Sequence, residues 1–421
     1  MSELKEYKFN ELYTMSSGIS SKPEQAGHGF PFVSFSTVFI NYFLPDTLHE
    51  LMDTSKQEQE KHSIQKGDIL LTRTSETIDE LGMSCVALKD YPKATFSGFV
   101  KRLRPTQKNI TYDKYMGFYL RSKFFRKTMT NNAFITLRAS LNEAIFSYLH
   151  LYLPDYQTQK KIGDFLHLLS TKIELNQRIN AELESMAKTL YDYWFVQFDF
   201  PNEKGKPYKS AGGKMVWNEE LKREIPLGWE VGKIGEFGEF KNGINYDPSI
   251  QGDVDAKIIN IRNMSSSNLF VSQHELDTIT LEKKNVDKYL VTDNDILIAR
   301  SGIPGATRIL FEYAENTIYC GFIIRFQVNN ANNKNYLLYF LKGMEKNSKS
   351  SSGGTIMPNI NQETLKRMIV LMPNEQIISK FNSFISPIFE QINSKAKESQ
   401  TLTELRDWLL PMLMNGQVRV S

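Results

Sequence analysis

Hydrophobic positions in this chain recur at the three-and-four spacing of a helix face along two long stretches, and the second stretch is a copy of the first. Seven identities relate them: Pro154, Gln157, Lys161, Phe165, Ile173, Leu183 and Leu190 correspond to Pro373, Gln376, Lys380, Phe384, Ile392, Leu402 and Leu409. The apolar face comprises Ile162, Phe165, Leu169, Ile173, Leu183, Met186 and Leu190 in the first stretch, and Phe381, Phe384, Ile388, Ile392, Leu402, Leu405 and Leu409 in the copy. We predict two helices of one design, each of about 40 residues and roughly 60 Å long.

Both apolar faces are interrupted by polar residues at the same place. Asn176 and Asn180 stand where apolar residues are expected, and Lys395 and Ser399 stand at the corresponding positions of the copy. A long apolar face needs a partner, and a twofold relation between the repeats would make their helices run antiparallel. The four polar residues would then meet near the middle of the pair and set its register. The alternative is two unrelated amphipathic helices that pack on separate cores.

Short apolar, strand-like segments fill the rest of the chain and form two globular blocks. We predict a first block at 1–153, a long helix within 154–198, an exposed linker rich in Pro, Gly, Lys and Ser at 199–224, a second block at 225–372 and a second long helix within 373–421.

The second block repeats the first loosely. The matching segments are Gly18-Ile19 with Gly243-Ile244, Asp68–Arg73 with Asp295–Arg300, Ser97-Gly98-Phe99 with Cys320-Gly321-Phe322, and Leu141-Asn142 with Ile360-Asn361. The loops between these segments differ in length and content. This combination is typical of two domains that share a scaffold and bind different ligands.

Composition places the chain among ordinary soluble proteins. Its 421 residues are enough for two domains or more, and the mean hydropathy is −0.39. The sequence has no apolar run long enough to span a membrane and no export signal at Met1. Cys85 and Cys320 lie in apolar, strand-like settings, so we predict buried thiols in a reducing cytoplasm.

Charge is unevenly distributed although the net charge is only +3. Between Lys101 and Arg138 there are ten basic residues and a single acidic one, Asp113, with aromatic residues interleaved. Such clustering is typical of a surface that binds a polyanion. The alternative is a solvated charged face whose aromatic residues belong to the core.

Motifs for chemistry are missing. The six histidines have no pair at metal-ligand spacing, and the sequence contains no Cys-x-x-Cys, no phosphate-binding loop and no amino-methyltransferase tetrad. We therefore predict a binding protein without catalytic activity of its own.

The order of these features resembles the specificity subunit of type I restriction-modification systems. The resemblance rests on the tandem of block and helix, on Ile225-Pro226-Leu227-Gly228-Trp229-Glu230, on Asp295-Ile296-Leu297-Ile298-Ala299-Arg300, and on Trp194-Phe195-Val196-Gln197-Phe198-Asp199. It covers essentially the whole chain. Thr74-Ser75-Glu76-Thr77 departs from the pattern, because the second block has Ser301-Gly302-Ile303-Pro304-Gly305 at that place.

The resemblance implies an α+β fold in which two pseudo-repeated target-recognition domains are separated by two long antiparallel helices that form a coiled coil. Each domain would read one half of an asymmetric bipartite site in double-stranded DNA. The helices would set the spacer and dock two methyltransferase subunits, which recruit restriction subunits. No cofactor is implied for this chain, since S-adenosylmethionine, Mg and ATP would bind to the partner subunits.

Candidate DNA contacts follow from residue chemistry. They are Arg73, Thr74, Lys101, Arg102, Arg104, Arg121, Lys123, Arg126, Lys127 and Arg138 in the first block, and Arg300, Ser301, Arg308, Arg325, Lys346, Lys349, Thr355 and Asn359 in the second. Arginine offers a bidentate fork for guanine, whereas lysine suits phosphate. For Arg73 and Arg300 the alternative is a structural ion pair at a strand end.

Two rival functions remain open from the sequence. One is a fused modification-nuclease fragment with unrecognised motifs, and the other is a coiled-coil assembly protein without affinity for DNA.

Overall fold

The computed structural model describes residues 4–20, 22–75, 81–132, 139–140, 149–246, 252–310, 315–350 and 360–420. Contacts divide the chain into two compact units, Met1–Asn176 with Glu398–Ser421, and Gln177–Lys397. Both divisions fall inside long helices, so each unit contains one block and a segment of each helix.

The first unit is built from short strands and short helices ahead of a long helix. Its strands are β1 (Lys5–Lys8), β2 (Tyr13–Ser17), β3 (Ala26–Val33), β4 (Leu51–Met52), β5 (Ile69–Thr72), β6 (Thr74–Ser75), β7 (Ser84–Val86), β8 (Thr95–Phe96), β9 (Val100–Pro105), β10 (Ala139–Ser140) and β11 (His150–Leu153). Its helices are α1 (Phe9–Leu12), α2 (Phe35–Ile40), α3 (Lys56–Lys61), α4 (Asp113–Tyr119), α5 (Lys123–Asn132) and the start of α6 (Tyr156–Tyr191).

The second unit has the same plan. Its strands are β12 (Met215–Asn218), β13 (Arg223–Pro226), β14 (Glu230–Lys233), β15 (Gly238–Asn242), β16 (Val254–Ile259), β17 (Asp277–Leu281), β18 (Asp295–Ala299), β19 (Thr307–Arg308), β20 (Thr317–Tyr319), β21 (Ile323–Val328) and β22 (Ile369–Met372). Its helices are α7 (Ile261–Ser266), α8 (Lys283–Lys288), α9 (Lys334–Ser350), α10 (Gln362–Lys366) and most of α11 (Glu375–Met414).

Sheet topology confirms the repeat. The antiparallel sheet β2-β9-β5-β7 of the first unit corresponds to β15-β21-β18-β19 of the second. The mixed sheet β4-β3-β8 corresponds to β17-β16-β20, with one antiparallel and one parallel pairing in each case. The antiparallel pair β1-β11 corresponds to β14-β22.

The central strands of the two large sheets are buried on both faces, which explains why β5 and β18 are continuous apolar runs. Ile69 and Leu71 join one hydrophobic cluster, and Leu70 between them joins another. In β18, Ile296 and Ile298 likewise belong to one cluster and Leu297 to the other. Each sheet therefore lies between two cores.

The long helices run antiparallel where they meet inside each unit. In the first unit, Leu413 and Met414 from the end of α11 share a core with Ile162 and Leu166 near the start of α6. In the second unit, Phe381 near the start of α11 packs against the residues that follow α6, with ring centroids 5.8 Å from Trp194 and 4.8 Å from Phe195. The antiparallel arrangement predicted from the repeat is confirmed in both units.

The predicted buried face needs a correction. Phe384 is 51% exposed, and Met186 and Leu405 are also exposed, whereas Leu166 and Ile385 are fully buried. The buried stripe is offset by about one position in these places, because each helix packs against the core of a block as well as against the other helix. The remaining predicted seam residues are buried or partly buried.

Both seam asparagines bond to the second helix. Asn176 Nδ2 donates to Glu398 Oε2 at 3.0 Å in the first unit. Asn180 Nδ2 donates to the carbonyl oxygen of Ile392 at 3.1 Å in the second. Within the described residues the amide oxygens of both asparagines are buried without a hydrogen-bond partner. Such residues fix register at a cost in stability.

The segment predicted as an exposed linker at 199–224 is folded. Phe200 is buried and stacks on Trp229 with ring centroids 5.2 Å apart. Asp199 accepts hydrogen bonds from Ser210, and β12 pairs with β13 as a hairpin. Most of its other residues are exposed, as the composition indicates, but the Gly, Lys and Ser residues form turns around these buried aromatic rings.

Candidate nucleic-acid interface

The first block holds a tight backbone arrangement where the central strands of its large sheet end. The amide of Arg73, directly after β5, donates to the carbonyl oxygen of Phe99 at 2.8 Å. From the other side, the amide of Ile19 donates to the carbonyl oxygen of Phe96 at 2.9 Å, and Gly98 donates to that of Ile19 at 2.7 Å. Three separate segments are thereby fixed to one another.

The second block repeats this arrangement bond for bond. The amide of Arg300, directly after β18, donates to the carbonyl oxygen of Phe322 at 2.9 Å. Ile244 donates to the carbonyl oxygen of Tyr319 at 3.0 Å, and Gly321 donates to that of Ile244 at 2.7 Å. We call Ile19, Arg73 and Phe99, and equally Ile244, Arg300 and Phe322, the strand-end element of each block.

Glycine is required at the centre of both elements. A Cβ atom on Gly18 would lie 2.2 Å from the carbonyl oxygen of Ser97, and one on Gly243 would lie 2.2 Å from that of Cys320. Any side chain there would force the backbone segments apart. The doubled Gly-Ile motif is therefore a packing requirement that makes the element rigid.

The loops beside the strand-end elements differ. In the first block, β6 follows Arg73 and pairs with β10. In the second, the chain turns at Gly302 and Gly305, both with positive φ, and Ile360 donates its amide to the carbonyl oxygen of Arg300 at 3.1 Å. A frame that the chain repeats therefore carries a different set of side chains in each block.

Arg73 and Arg300 are available for a ligand. Arg73 is exposed and Arg300 half-buried, and neither side chain forms an ion pair with any described residue. The alternative of a structural ion pair at the strand end therefore does not apply within the part of the chain that the structure describes.

Arg102 and Arg104 are structural instead. Arg102 is buried and donates from Nη1 to the carbonyl oxygen of Ser63, and burial lowers its pKa. Arg104 grips the Asp68 carboxylate with Nε at 2.8 Å and Nη2 at 2.7 Å, and this hydrogen bonding raises the pKa of Arg104. Their donors are used inside the fold, which gives both arginines a structural role.

Arg121 is also internal. Its Nε donates to the carbonyl oxygen of Ser84 at 2.7 Å, and its guanidinium lies 4.8 Å from the centroid of the Tyr42 ring. Its Nη2 donates to three further carbonyl oxygens, those of Val38, Phe39 and Asn41. Burial lowers the pKa of Arg121. This guanidinium closes the end of α2 and does not reach out to a ligand.

In the second block Arg308 and Arg325 behave in the same way. Arg308 is buried and pairs with both carboxylate oxygens of Glu345 at 2.9 and 3.2 Å. Arg325 donates to the carbonyl oxygen of Leu290 at 2.7 Å and lies 3.7 Å from Asp295. Both were predicted as DNA contacts; in the structure Arg308 links β19 to α9, and Arg325 links β21 to the segment that precedes β18.

The other predicted contacts fall into three groups. Lys101 donates to Ser17 Oγ at 2.6 Å, whereas Lys123 and Lys127 are exposed on α5, where Arg126 is half-buried. Thr74 lies in β6, Ser301 in the turn after β18, and Lys346 and Lys349 in α9. Arg138, Thr355 and Asn359 lie outside the described residues.

The basic, aromatic-rich stretch from 101 to 138 is thus less of a surface than its composition indicates. Tyr115, Phe118 and Phe125 are core residues, and Lys114 pairs with Asp164 at 2.8 Å. The alternative reading of the aromatic residues, that they face the core, is the better one for these three.

Sequence reasoning missed two buried carboxylates that anchor the central strands. Asp68 accepts the amide of Gln65 at 2.8 Å, and Asp295 accepts the amide of Thr292. Burial raises the pKa of Asp295. The doubled Asp-Ile-Leu motif was the available signal, because an aspartate that opens two buried strands needs internal partners.

Other chemistry is limited in the described residues. No group of His, Cys, Asp and Glu there is placed to hold a metal ion. None of the described helices combines the length and apolar character needed to cross a bilayer. Cys85 and Cys320 are free and buried, as predicted, and burial raises the pKa of Cys85 to about 12.

Comparison with known structures supports the fold. The S subunit of a type I restriction-modification system from M. genitalium superposes with a TM-score of 0.59 at 14% sequence identity. The match covers 98% of this chain and 96% of that one.

Sequence comparison supports the family. The specificity subunit of the type I restriction enzyme MjaIX from Methanocaldococcus jannaschii is 25% identical over 364 residues, covering 85% of this chain and 78% of that protein. The specificity subunit of the HindI enzyme from Haemophilus influenzae is 25% identical over 477 aligned positions, covering 99% and 100%. A family profile described as the type I restriction modification DNA specificity domain matches residues 1–185 and again residues 226–404. The chain therefore belongs to the family of type I restriction-modification DNA specificity subunits.

Proposed function

We propose that each block reads one half of an asymmetric bipartite DNA site, through its strand-end element and the loops beside it. The observation that carries the proposal is the repetition of one hydrogen-bonded frame under different loops. The frame places an arginine at the same point of each sheet, and the loops supply different side chains for different bases. Two different readers on one chain require two different half-sites.

The long helices supply the second part of the proposal. They set the spacing of the half-sites and dock two methyltransferase subunits, through which restriction subunits join. Large apolar side chains on the helices, among them Leu168, Phe384 and Trp408, are exposed and suit a protein partner. S-adenosylmethionine, Mg and ATP would bind to those partner subunits.

Methylated-base sequencing of a host that carries the complete operon tests the reading of DNA. We expect one bipartite motif whose two halves differ in sequence. A single contiguous motif, or none at all while the assembled complex is present, would contradict the proposal.

The spacer role has its own test. Inserting one helical turn after Asn176 and another after Lys397 lengthens both helices where the compact units divide, by about 5.4 Å. Since DNA rises about 3.4 Å per base pair, we expect the gap to grow by one or two base pairs while both half-sites stay unchanged. Altered half-site bases would contradict the spacer role.

Purified chain alone distinguishes the two rivals. Methyl transfer or cleavage without partner subunits would favour a modification-nuclease fragment. Binding that is independent of salt, or absent with the partners present, would favour an assembly protein without DNA affinity.

A further inference from the structure

Each strand-end element displays a phenylalanine ring to solvent. Phe99 is 63% exposed and Phe322 is 60% exposed, although both directly precede a buried strand. They occupy equivalent positions, since Val100 pairs with Thr72 and Ile323 pairs with Ala299. Two large apolar side chains are thus held out of the core at the same point of two diverged blocks.

The backbone beneath both rings is rigid. The carbonyl oxygen of each phenylalanine accepts the amide of Arg73 or Arg300, and the preceding glycine is bonded to Ile19 or Ile244. These bonds fix the backbone at each phenylalanine and so the direction of the Cα–Cβ bond that carries its ring. Their exposure is therefore a property of the frame.

The neighbouring chemistry is that of a nucleic-acid contact. The carbonyl group of each phenylalanine is hydrogen-bonded to the backbone amide of an arginine. That arginine forms no ion pair with the described residues. Nucleic-acid-binding surfaces combine cationic groups for phosphate or base edges with aromatic rings for base surfaces.

A protein partner is the less suitable occupant. Two identical partner subunits would need two similar surfaces, but the segments beside the rings differ, since β6 and β10 flank one and the turn at Gly302 flanks the other. A pair of different DNA half-sites fits that difference.

We infer that Phe99 and Phe322 contact DNA directly, each pressing an apolar ring against bases of the half-site that its own block reads. The inference rests on the proposed function and deepens it by naming a base-contacting residue in each block. Arg73 and Arg300 add the charged part of the same contact.

The test uses the full chain assembled with its methyltransferase partners and a duplex that carries the site found by methylated-base sequencing. We expect Phe99→Ala and Phe322→Ala each to weaken binding about tenfold, equivalent to about 1.4 kcal/mol, without changing the slope of affinity against salt. Phe99→Leu and Phe322→Leu should retain most of the affinity. Exposed apolar residues elsewhere, Ile40→Ala in the first unit and Leu227→Ala in the second, serve as matched controls and should leave binding unchanged.

Duplexes in which one half-site is scrambled show which half-site each ring contacts. Scrambling one half-site should abolish the penalty of one alanine variant and leave that of the other, with the roles reversed for the second half-site. Unchanged affinity in both alanine variants would overturn the inference, as would normal DNA affinity with loss of methyltransferase subunits from the complex. Failure of the unsubstituted complex to bind the duplex would instead overturn the proposed function.

Discussion

The two blocks share a frame but anchor it differently. In the first, Arg104 binds the Asp68 carboxylate with two short hydrogen bonds. In the second, Arg325 lies 3.7 Å from Asp295 and donates its shorter hydrogen bond to the carbonyl oxygen of Leu290. The arginine–aspartate contacts at the central strands differ between the blocks, whereas the backbone hydrogen bonds of the strand-end elements agree closely in length. What the chain has kept identical is the part that presents Arg73, Arg300 and the two rings.

The comparison also separates two uses of arginine. Arg102, Arg104, Arg121, Arg308 and Arg325 all donate to carbonyl or carboxylate oxygens inside their own block. Arg73 and Arg300, which stand at the repeated position, have no such ion pair in the described residues. These five arginines therefore hold parts of their own block together, whereas the two at the strand ends do not.

The largest effect on the stability of the chain is expected from replacing Arg121. Arg121→Ala should lower the free energy of unfolding by about 3–5 kcal/mol, because four carbonyl oxygens lose their charged donor. Urea denaturation of the full chain measures this. Lys123→Ala, an exposed change two residues away, is the control and should shift stability by less than about 0.5 kcal/mol. A similar loss in both variants would contradict the structural role of Arg121.

The anchoring carboxylates come next. Asp68→Asn should cost about 2–3 kcal/mol, since it disrupts a bidentate, charge-assisted pair. Asp295→Asn should cost less, because burial already raises the pKa of Asp295 and disfavours its ionised form. Equal losses in the two variants, measured by urea denaturation, would mean that the blocks are anchored alike.

The raised pKa of Asp295 also fixes a pH dependence. The folded protein holds this proton more tightly than the unfolded chain, so ionisation lowers stability as pH rises from the unfolded value, about 3.9, through the raised folded value. Relative to Asp295→Asn, the unsubstituted protein should lose stability across that window and stay level above it. Unfolding free energies of both proteins against pH give the comparison, and a difference that grows in the opposite direction would contradict it.

Arg73 and Arg300 should affect DNA binding and leave stability unchanged. Arg73→Ala and Arg300→Ala are each expected to weaken binding about tenfold and to reduce the salt slope by about one, as loss of a phosphate contact does. Exposed lysines outside the two strand-end elements, in Lys5→Ala and Lys206→Ala, are the controls. Binding titrations at several salt concentrations decide, and a loss of affinity matched by a loss of stability would reassign these arginines to the scaffold.

The smallest effect is expected in the helix pair. Asn176→Leu should change the free energy of unfolding by no more than about 1 kcal/mol, because the lost bond to Glu398 is offset by removal of a buried amide oxygen without a partner. Thermal or urea unfolding measures it. A loss above about 2 kcal/mol would show that Asn176 stabilises the pair and does not merely set its register.

Much of the fold was predictable because the sequence contains the same block and helix twice. The repeated apolar spacing predicts both long helices and their antiparallel course, and the doubled segments around Asp68 and Asp295 mark the central strands. The buried offset at Ile385 and the folded segment around Phe200 were not predictable, since both depend on which core lies against them.

The candidate site was harder to predict than the fold. Arg121 looks like any other residue of a basic run, and its partners in α2 lie about 80 positions away in the sequence. Among the predicted contacts, only Arg73 and Arg300 could be singled out from the sequence, because each directly follows a buried strand at the same point of the repeat. Phe99 and Phe322 carried the same signal in the doubled Gly-Phe motif, but their exposure depends on the tertiary frame.

Replacing residues 225–372 with a second copy of residues 1–153, followed by methylated-base sequencing in a host that supplies the partner subunits, tests the central claim most directly. If each block reads its own half-site on a shared frame, both halves of the new motif will carry the sequence read by the first block. A motif that still contains the second half-site would contradict the account.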